Sequence, residues 1–518
     1  MARSGRELQV YSVFRLGDLG LDLKTSPLEL TTVKRRRGAL TKAQHVDYRT
    51  SGGVSKRLPL EAINSTTLGA SVKITGGIQF RHSNGNTYDV CGTSDGRLVK
   101  LNTDGTTTNL VTGLTADRRW SFAVYNDKVI CCNGADAPRK YDGTTVGTLG
   151  GSPPATGALV VAHSNRVFML DETQKSRLSW SALNNEEDWT TASNAGSVSV
   201  NPNDSQNLES MVSASASELV MGKRDALYRL QGTAPSTYAI TNVVPAGTTA
   251  GAISRFGMVY ALNDVWMLAL GGLHDVQTVQ AFGDLRVAYA SERISPRFQI
   301  GSDFTVTLGE LDEGCVAYDR QHNRIMVAVD SDGDTKNDLL LGFDLYLRAW
   351  HEWPGLSIAS MWPAINRSTG QVEVWAGGYD GVVRALNRDV TGDAYTAEVR
   401  HISCLDAPGL EKSPRYLFLY LKEEGNWSVT VDTKFDFGAA GGQSYTASLL
   451  GATKTLGVNW TLGTDPLGAR DQLVKRLDLA GIGEFLEIGM QNGSAGQPFT
   501  WLGYEVMWRP RRVVRAAA

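Results

Sequence analysis

The sequence predicts an all-β fold, a β-propeller of six to eight blades followed by a C-terminal β-sandwich-like domain. Its composition is typical of turn-rich β structure, with 55 Gly, 12 Trp, 17 Tyr and 14 Phe in 518 residues. Short strand-like pieces separated by polar turns recur between residues 66 and 390. After Asp389 the pieces become longer and alternate more regularly, which indicates a second kind of β domain.

The stretch from Gly314 to Trp353 supports the propeller most directly. Asp, Asn and Gly turns divide it into four strand-like pieces: Cys315–Tyr318, Arg324–Val329, Leu339–Asp344 and Ala349–Trp353. Four short strands within about 40 residues have the size of one propeller blade. Because a single blade cannot bury both of its faces, one blade implies a ring of them.

Composition and charge exclude several classes of protein. With 42% apolar and 20% charged residues the chain can bury a core, so it is not a disordered tether. A net charge of −3 gives no overall attraction to nucleic acid or membranes. The five cysteines, with Cys131 and Cys132 adjacent, suit neither a disulfide framework nor a metal knuckle, so we expect reduced, buried thiols.

The N-terminal residues 1–65 are predicted to be an irregular docking segment. Met1–Val10 lacks the apolar segment of a secretion signal, and no run approaches the roughly 20 apolar residues of a membrane helix. We therefore expect no membrane span and a protein that is soluble where it is made.

This N-terminal segment carries the first resemblance to a known family. Gly20–Leu23 leads into Ser26-Pro27, and Gln44-His45-Val46-Asp47 is followed by Gly53 and Arg57. These two motifs resemble the opening of tail proteins of short-tailed bacteriophages, where a GLN-x-R-x-SP motif precedes a QN-V-D/R-x-x-x-G-x-x-x-R motif. His45 stands where that family has Asn, and a basic insert precedes the second phrase.

Residues 66–390 repeat the pattern of paired strands and polar turns. Apart from the stretch above, the units are Thr87–Leu101, Trp120–Tyr141, Ala158–Leu170 with Arg177–Ala182, Leu219–Lys223 with Ala226–Leu230, Gly257–Ala261 with Val265–Leu270, and Val372–Trp375 with Val382–Leu386. About seven units at a spacing of roughly 35 to 50 residues are compatible with six to eight blades.

Two phrases within these units extend the resemblance. Neither a Gly-His…Trp-Asp repeat nor a complete Asp box occurs. Leu178–Ser181 running to Trp189, and Asn337–Asp344 running to Trp350, are instead similar to blade phrases in the nozzle, or distal tail-tube, proteins of podoviruses. With the N-terminal phrase, the resemblance spreads over most of the first 390 residues.

Residues 391–518 are predicted to form a β-sandwich domain with a basic C-terminal tail. Tyr416–Leu421 and Trp427–Asp432 alternate apolar and polar side chains, as half-buried strands do. Phe499–Trp508 reads as a final strand, and we expect Arg509-Pro510 to end it because proline cannot donate to a strand ladder.

The acidic run Asp330–Asp338 has oxygen-bearing side chains at alternate positions and a Gly for a sharp turn, as a calcium loop has. Leu341 occupies the position of the terminal Glu of an EF-hand loop, and strands flank the run. A solvated hairpin turn is the favoured interpretation, and calcium remains a minor option.

Two basic clusters are candidate DNA-facing or partner-facing sites, because attraction to phosphate or to an acidic surface needs only charge. A solvated loop and a basic tail are the equally weighted alternative. The residues are Lys34, Arg35, Arg36, Arg37, Arg509, Arg511, Arg512 and Arg515.

No catalytic, metal or cofactor site is predicted. His351 to Pro354 lacks the two-His helical spacing of a zinc protease, and neither a nucleophile elbow nor a phosphate loop occurs. A carboxylate pair for sugar hydrolysis depends on three-dimensional separation and is not visible in sequence. Five tryptophans could either stack on sugars or pack between blades, and their positions near strand ends favour packing. They are Trp180, Trp189, Trp350, Trp353 and Trp375.

The resemblance implies a structural virion protein and not an enzyme. It implies a homohexameric ring at the distal end of a short phage tail, made in the bacterial host cytoplasm, that extends the DNA ejection channel and helps to retain the genome. Its partners would be the head-to-tail adaptor, tail fibres or spikes and, transiently, the passing DNA. The alternative is a tail propeller that binds or cleaves surface glycan.

Overall fold

The computed structural model describes residues 7–32, 38–49, 52–243, 251–279, 284–386, 388, 394–438, 441–450 and 472–513, with backbone alone at 277–279, 284–289, 512 and 513. Two compact units emerge: a propeller unit, Leu60–Leu341 with Gly355–Leu386, and a sandwich unit, Met1–Pro59 with Gly342–Pro354 and Asn387–Ala518. The described helices are short: one α-helix, Pro27–Thr32, and the 3₁₀ helices Thr191–Ser193, Pro202–Asp204, Pro235–Thr237, Ala290–Phe298, Leu308–Glu313 and Asp436–Gly438.

The propeller unit is built from antiparallel sheets whose strands pair in chain order. Blade 1 has Ile74–Arg81, Thr87–Thr93, Leu98–Leu101 and Thr107–Val111. Blade 2 has Ser121–Tyr125, Lys128–Cys132, Arg139–Tyr141 and Val146–Thr148. Blade 3 has Gly157–His163, Arg166–Asp171, Arg177–Trp180 and Gly196–Ser199.

The remaining blades follow the same plan. Blade 4 has Leu208–Ser215, Glu218–Lys223, Ala226–Gln231 and Ala239–Asn242. Blade 5 has Met258–Ala261, Asp264–Ala269, Gly272–Val279 and Asp284–Tyr289. Blade 6 contributes Cys315–Asp319, Arg324–Val329 and the start of Leu339–Asp344, and blade 7 has Ser360–Ile365, Val372–Gly377 and Val383–Ala385.

The ring closes through the inner strands and an N-terminal strand. The first strands of blades 1 to 7 pack against one another in sequence, and that of blade 7 returns to that of blade 1. Glu61–Ala62 supplies the fourth strand of blade 7, where Glu61 pairs with Ala385. Seven blades among the described residues confirm the prediction of a propeller with six to eight.

Local sequence explains the tight hairpins. Asn126 and Asp127 both have positive φ, 47° and 54°, as the two central residues of a type I′ turn require. Ser164 and Asn165 turn blade 3 in the same way, with φ of 46° and 54°. Asn, Asp and Gly tolerate these backbone angles best, so the turn-forming residues seen in the sequence indicate the positions of the hairpins correctly.

Apolar clusters lie between adjacent blades. Ile74 and Val99 of blade 1 pack with Trp362, Trp375 and Val383 of blade 7 in one such cluster. Blades 3 and 4 share another, in which Phe168 and Trp180 meet residues of the next sheet. This packing is the reason a blade needs neighbours, because both faces of each sheet are apolar.

The sandwich unit contains two mainly antiparallel sheets, with one parallel pairing between Lys42–Gln44 and Ala349–Pro354. The first, called S1, has the order Val46–Tyr48, Val54–Lys56, Thr500–Val513, Leu410–Lys422 and Gln472–Asp478, with Gln9–Val13 also paired to Thr500–Val513. The second, called S2, has Ala349–Pro354, Lys42–Gln44, Ala397–Ser403, Leu486–Asn492, Ser428–Phe435 and Gly442–Ser448 in that order. The β-sandwich-like prediction is therefore confirmed.

Two local expectations differ from the structure. The N-terminal segment is not irregular: it forms four strands of S1 and S2. Val46–Tyr48 and Val54–Lys56 pair locally, but the other partners of these strands lie hundreds of residues away and leave no local signal. Pro510 does not end the last strand, which continues to Val513. A register shift beside its pairing with Lys412 marks a bulge, where the missing N–H of proline is tolerated.

The four strands predicted between Cys315 and Trp353 lie within one residue of those observed. All five cysteines are free and buried, as expected. Burial raises the pKa of Cys91, Cys131 and Cys315 to about 12, so these thiols are poor nucleophiles. None of the helices in the described ranges is long and apolar enough to cross a membrane.

Candidate functional site

The described residues include only part of the two predicted basic clusters. Arg509 and Arg511 are exposed on the last strand of S1, and neither pairs with a carboxylate among the described residues. Arg512 lies on the same strand, but its side chain, like Arg515 and the cluster Lys34, Arg35, Arg36 and Arg37, lies outside the described residues.

The residues of the N-terminal phrase meet inside the sandwich unit around Arg57. Its guanidinium lies 3.8 Å from the ring centre of Tyr395 and 5.0 Å from that of Trp353. Arg57 Nε donates to His45 Nδ1 at 3.1 Å, and Trp353 Nε1 donates to the carbonyl of Val46 at 3.1 Å. Residues of this motif therefore stabilise the packing of strands from both sheets of the sandwich unit.

Burial shapes the charges in this cluster. Burial, and then repulsion from Arg57, lowers the pKa of His45 to about 3, so the imidazole is neutral and accepts from Arg57. Burial, again with Arg57 second, lowers the pKa of Lys56 to about 8. Lys56 Nζ donates to Asn492 Oδ1 at 3.1 Å, which holds this cation in place.

The acidic turn Asp330–Asp338 is held by its own backbone. Asp330 Oδ1 accepts from the N–H groups of Asp332 at 2.9 Å and Gly333 at 2.7 Å, and Oδ2 accepts from Thr335 N–H at 2.8 Å. Carboxylate oxygens of Asp330, Asp332 and Asp338 lie within 4.8 Å of one another. Because hydrogen bonds within the turn explain why these carboxylates lie close together, the hairpin interpretation is favoured over a calcium site.

Arg119 forms a polar bridge that sequence analysis missed. It precedes the inner strand of blade 2, and its Nη1 donates to the carbonyl of Asp312, before blade 6, at 2.8 Å. Its guanidinium also lies 4.6 Å from the ring centre of Phe256, before blade 5. Blades 2 and 6 are not neighbours in a ring of seven, so this contact crosses the propeller axis.

A second pair flanks Arg119, with Arg255 Nη2 donating to Glu172 Oε2 at 2.6 Å. Burial lowers the pKa of Arg119, partly offset by Glu313. The contacts of Arg119 with Asp312 and Glu313 therefore reach across the bore of the propeller. Nothing in the sequence marks these residues, because they are isolated and far apart along the chain.

The tryptophans suit packing better than sugar binding. Trp350 and Trp353 are fully buried in the sandwich unit, and Trp180 and Trp375 are buried in the propeller. Trp189 is half-buried, and its Nε1 donates to the carbonyl of Glu186 at 2.8 Å. Buried rings cannot act as sugar platforms, so the four buried tryptophans do not support the glycan alternative.

Fold and geometry define a seven-bladed β-propeller that carries an additional β-sandwich unit. No known protein family and no curated protein matches the sequence. Among solved structures, the extracellular domain of a one-component system from B. thetaiotaomicron is 12% identical with a TM-score of 0.43, over 65% of this chain and 40% of that chain. The chain thus spans less than half the length of that relative.

Two further structures have comparable values. YCF48 from Cyanidioschyzon merolae is 10% identical with a TM-score of 0.41, over 63% of this chain and 98% of that chain. The computationally designed Ika8 protein is 10% identical with a TM-score of 0.39, over 63% and 100% of the two chains. Similarity at this level carries no statement about function, and the podovirus resemblance remains a prediction.

Proposed function

We propose that this chain is a structural virion protein of a short-tailed phage, similar to the nozzles at the distal end of podovirus tails. The observation that carries the proposal is the order of three phrases: the N-terminal phrase, then the blade phrases at Leu178–Trp189 and Asn337–Trp350. In the structure each phrase falls on strands or on the contacts that position them.

The proposed unit of function is a ring of copies, a hexamer by the resemblance, in which DNA passes between subunits. The axial bridge of Arg119 supports this route, because it crosses the bore of the single propeller. Cyclic rings form from head-to-tail contacts between unlike surfaces. Retention and release of DNA then depend on conformational change of the ring and need no bond chemistry.

The ring would join the head-to-tail adaptor on one side and offer its outer surface to fibres or spikes. The experiment that tests this is to count the chain in purified phage particles by quantitative peptide mass spectrometry, with the portal protein as internal standard. We expect half the copy number of the portal, the ratio of one hexamer to a dodecamer.

Absence from particles, or a copy number set by trimeric fibres, would contradict the proposal. The glycan-binding alternative is examined with the same protein, by incubation with host surface oligosaccharide. Trimming or tight binding of a defined oligosaccharide, combined with absence of a ring, would replace the nozzle by that alternative.

A further inference from the structure

One face of S1 exposes apolar side chains to solvent. Along Leu410–Lys422 the side chains of Leu417, Leu419 and Leu421 are fully buried, whereas Tyr416, Phe418 and Tyr420 point to the other side and are half-buried. Side chains alternate between the two faces of a strand, so the three aromatic residues share the outer face.

Register extends this surface over four strands. Tyr420 pairs with Val474, which is 52% exposed, on one neighbouring strand. At the other edge of the same face, Val10 lies on the strand Gln9–Val13 and is 55% exposed. Phe14, just after that strand, is 53% exposed, and its ring centre lies 5.2 Å from that of Tyr420. We call this surface the aromatic face, defined by Val10, Phe14, Tyr416, Phe418, Tyr420, Val474 and Met507. Two charged side chains lie among these residues: Glu505 accepts from Tyr420 Oη at 2.8 Å, and the guanidinium of Arg476 lies 4.1 Å from the ring centre of Tyr416. Exposed apolar surface of this kind marks an interaction site.

Three arginines border the aromatic face at one end. Glu505, Met507, Arg509 and Arg511 alternate along the outer side of the last strand, so the two arginines continue the row of the face. Arg415 is exposed beside them at a bulge of the neighbouring strand. None of Arg415, Arg509 and Arg511 has an ion-pair partner among the described residues, and we call them the arginine rim.

The propeller unit carries a surface of opposite charge. The segment 299–313 before blade 6 is tied to the acidic turn 330–338, because Thr307 Oγ1 donates to Asp330 Oδ1 at 3.0 Å and Asn337 Nδ2 donates to the carbonyl of Glu313 at 3.1 Å. We call these two segments together the acidic protrusion.

The acidic protrusion exposes both apolar side chains and carboxylates. Ile300 is 91% exposed, the highest value of any large apolar side chain described, and Phe304 is 41% exposed. Asp303, Asp312 and Asp332 are exposed and have no ion-pair partner among the described residues. The protrusion therefore combines exposed apolar and acidic side chains, whereas the aromatic face and its rim combine apolar and basic ones.

We propose that the acidic protrusion of one copy of this chain docks on the aromatic face and arginine rim of the next copy. The occupant is a second copy because both halves of the match, apolar to apolar and acidic to basic, occur on one chain. Contact between two unlike patches is heterologous and propagates around a ring. This inference rests on the proposed ring and names the surfaces that would build it.

Cysteine cross-linking tests the contact directly, because all five native cysteines are buried. A chain carrying Ile300→Cys and Val474→Cys has one new thiol on the protrusion and one on the face, both at exposed positions. With a short bismaleimide at high protein concentration, we expect a ladder of covalent oligomers. The two single variants mixed should stop at the dimer, because each copy offers only one thiol.

Each single variant alone is the matched control and should give no cross-link above background. A dimer from one single variant alone would show a symmetric contact and overturn the proposal, and so would the absence of a ladder from the double variant at every concentration. Circular dichroism verifies that both variants fold.

Charge reversal tests the rim. Arg509→Glu with Arg511→Glu should reduce the yield of the ladder about tenfold, because like charges now meet across the contact. Adding Asp303→Arg and Asp332→Arg to the same chain should restore the yield. Failure of this rescue, in variants that remain folded, would overturn the charge pairing.

The two proposals fail separately. A ladder from a chain that is absent from phage particles would leave the contact standing and remove the nozzle function. A copy number matching one ring, without a ladder, would leave the function standing and assign the ring to other surfaces.

Discussion

His45 shows how one residue couples backbone strain to a buried charge cluster. Its φ is 52°, in the left-handed region that Asn adopts more readily than most residues. The phage family that the sequence resembles has Asn at this place. Both side chains offer an acceptor to Arg57 Nε, but only His can take up a proton.

We predict that His45→Asn removes part of the acid sensitivity of the sandwich unit. The folded pKa of His45, about 3, lies below that of the unfolded chain, so its stabilising effect is complete above pH 6.5 and is lost progressively as pH falls towards 3. Between pH 8 and pH 4 the wild type should lose about 3 kcal/mol through His45, a loss that the variant avoids. Urea unfolding from pH 8 to 4 measures this, and equal slopes of stability against pH would contradict it.

Arg57 should be the most sensitive cation of the same cluster. Arg57→Ala leaves the buried His45 acceptor unpaired and empties the space between Tyr395 and Trp353, so we expect a loss of about 3 kcal/mol. Arg57→Lys keeps the charge but loses the planar stack and should lose about half as much. Unfolding followed by tryptophan fluorescence measures both.

The exposed Arg415→Ala serves as the control for Arg57 and should change stability by less than about 0.5 kcal/mol. A similar loss in the control and in Arg57→Ala would show that the stacked position has no special role.

At the scale of single elements, hairpins are the best-predicted feature. The strands of Gly314–Trp353 are found where predicted because each pairs with its chain neighbour through a turn of Asp, Asn or Gly. The calcium question at the turn after Arg324–Val329 illustrates the limit. Spacing alone could not tell a metal loop from a hydrogen-bonded turn, because both place carboxylates at alternate positions.

The acidic turn yields an element-scale prediction. Asp330→Asn replaces an oxygen that accepts from Thr335 N–H or from Asp332 and Gly333, and should destabilise the propeller by about 1–2 kcal/mol. Asp332→Asn, at an exposed position, is the matched control and should have a smaller effect. Differential scanning calorimetry with and without calcium measures both.

We expect calcium at about 1 mM to leave the melting temperature of the wild type unchanged, because turn N–H groups already bind the oxygens of Asp330. A calcium-dependent rise that Asp330→Asn abolishes would establish the metal site instead.

For the whole molecule, the class of fold was predictable and the connections were not. Repeated local hairpins predict a propeller. Gln9–Val13, however, pairs with residues 504–508, and no sequence period links segments so far apart. The axial contact of Arg119 with Asp312 has the same character. Long-range pairing and side chains that meet across a ring depend on closure of the whole fold, which a single sequence does not reveal.

Ring closure itself depends on Asn64, just after the strand Glu61–Ala62. Asn64 Oδ1 accepts from Val383 N–H at 2.7 Å, and its Nδ2 donates to the carbonyls of Thr66 at 2.8 Å and Gly381 at 3.0 Å. Asn64 is 3% exposed, so Asn64→Ala leaves a buried N–H and carbonyls without partners and should cost about 2–3 kcal/mol.

Because blade 7 packs on blades 1 and 6, the loss caused by Asn64→Ala should lower the melting temperature of the entire propeller and not of one blade. Hydrogen exchange measures this: faster exchange should extend from Val383 to the inner strands of blades 1 and 6. The exposed Asn84→Ala, in a hairpin turn of blade 1, is the control and should leave exchange unchanged. Faster exchange confined to Val383 and its neighbours would mean that the ring holds without this closure.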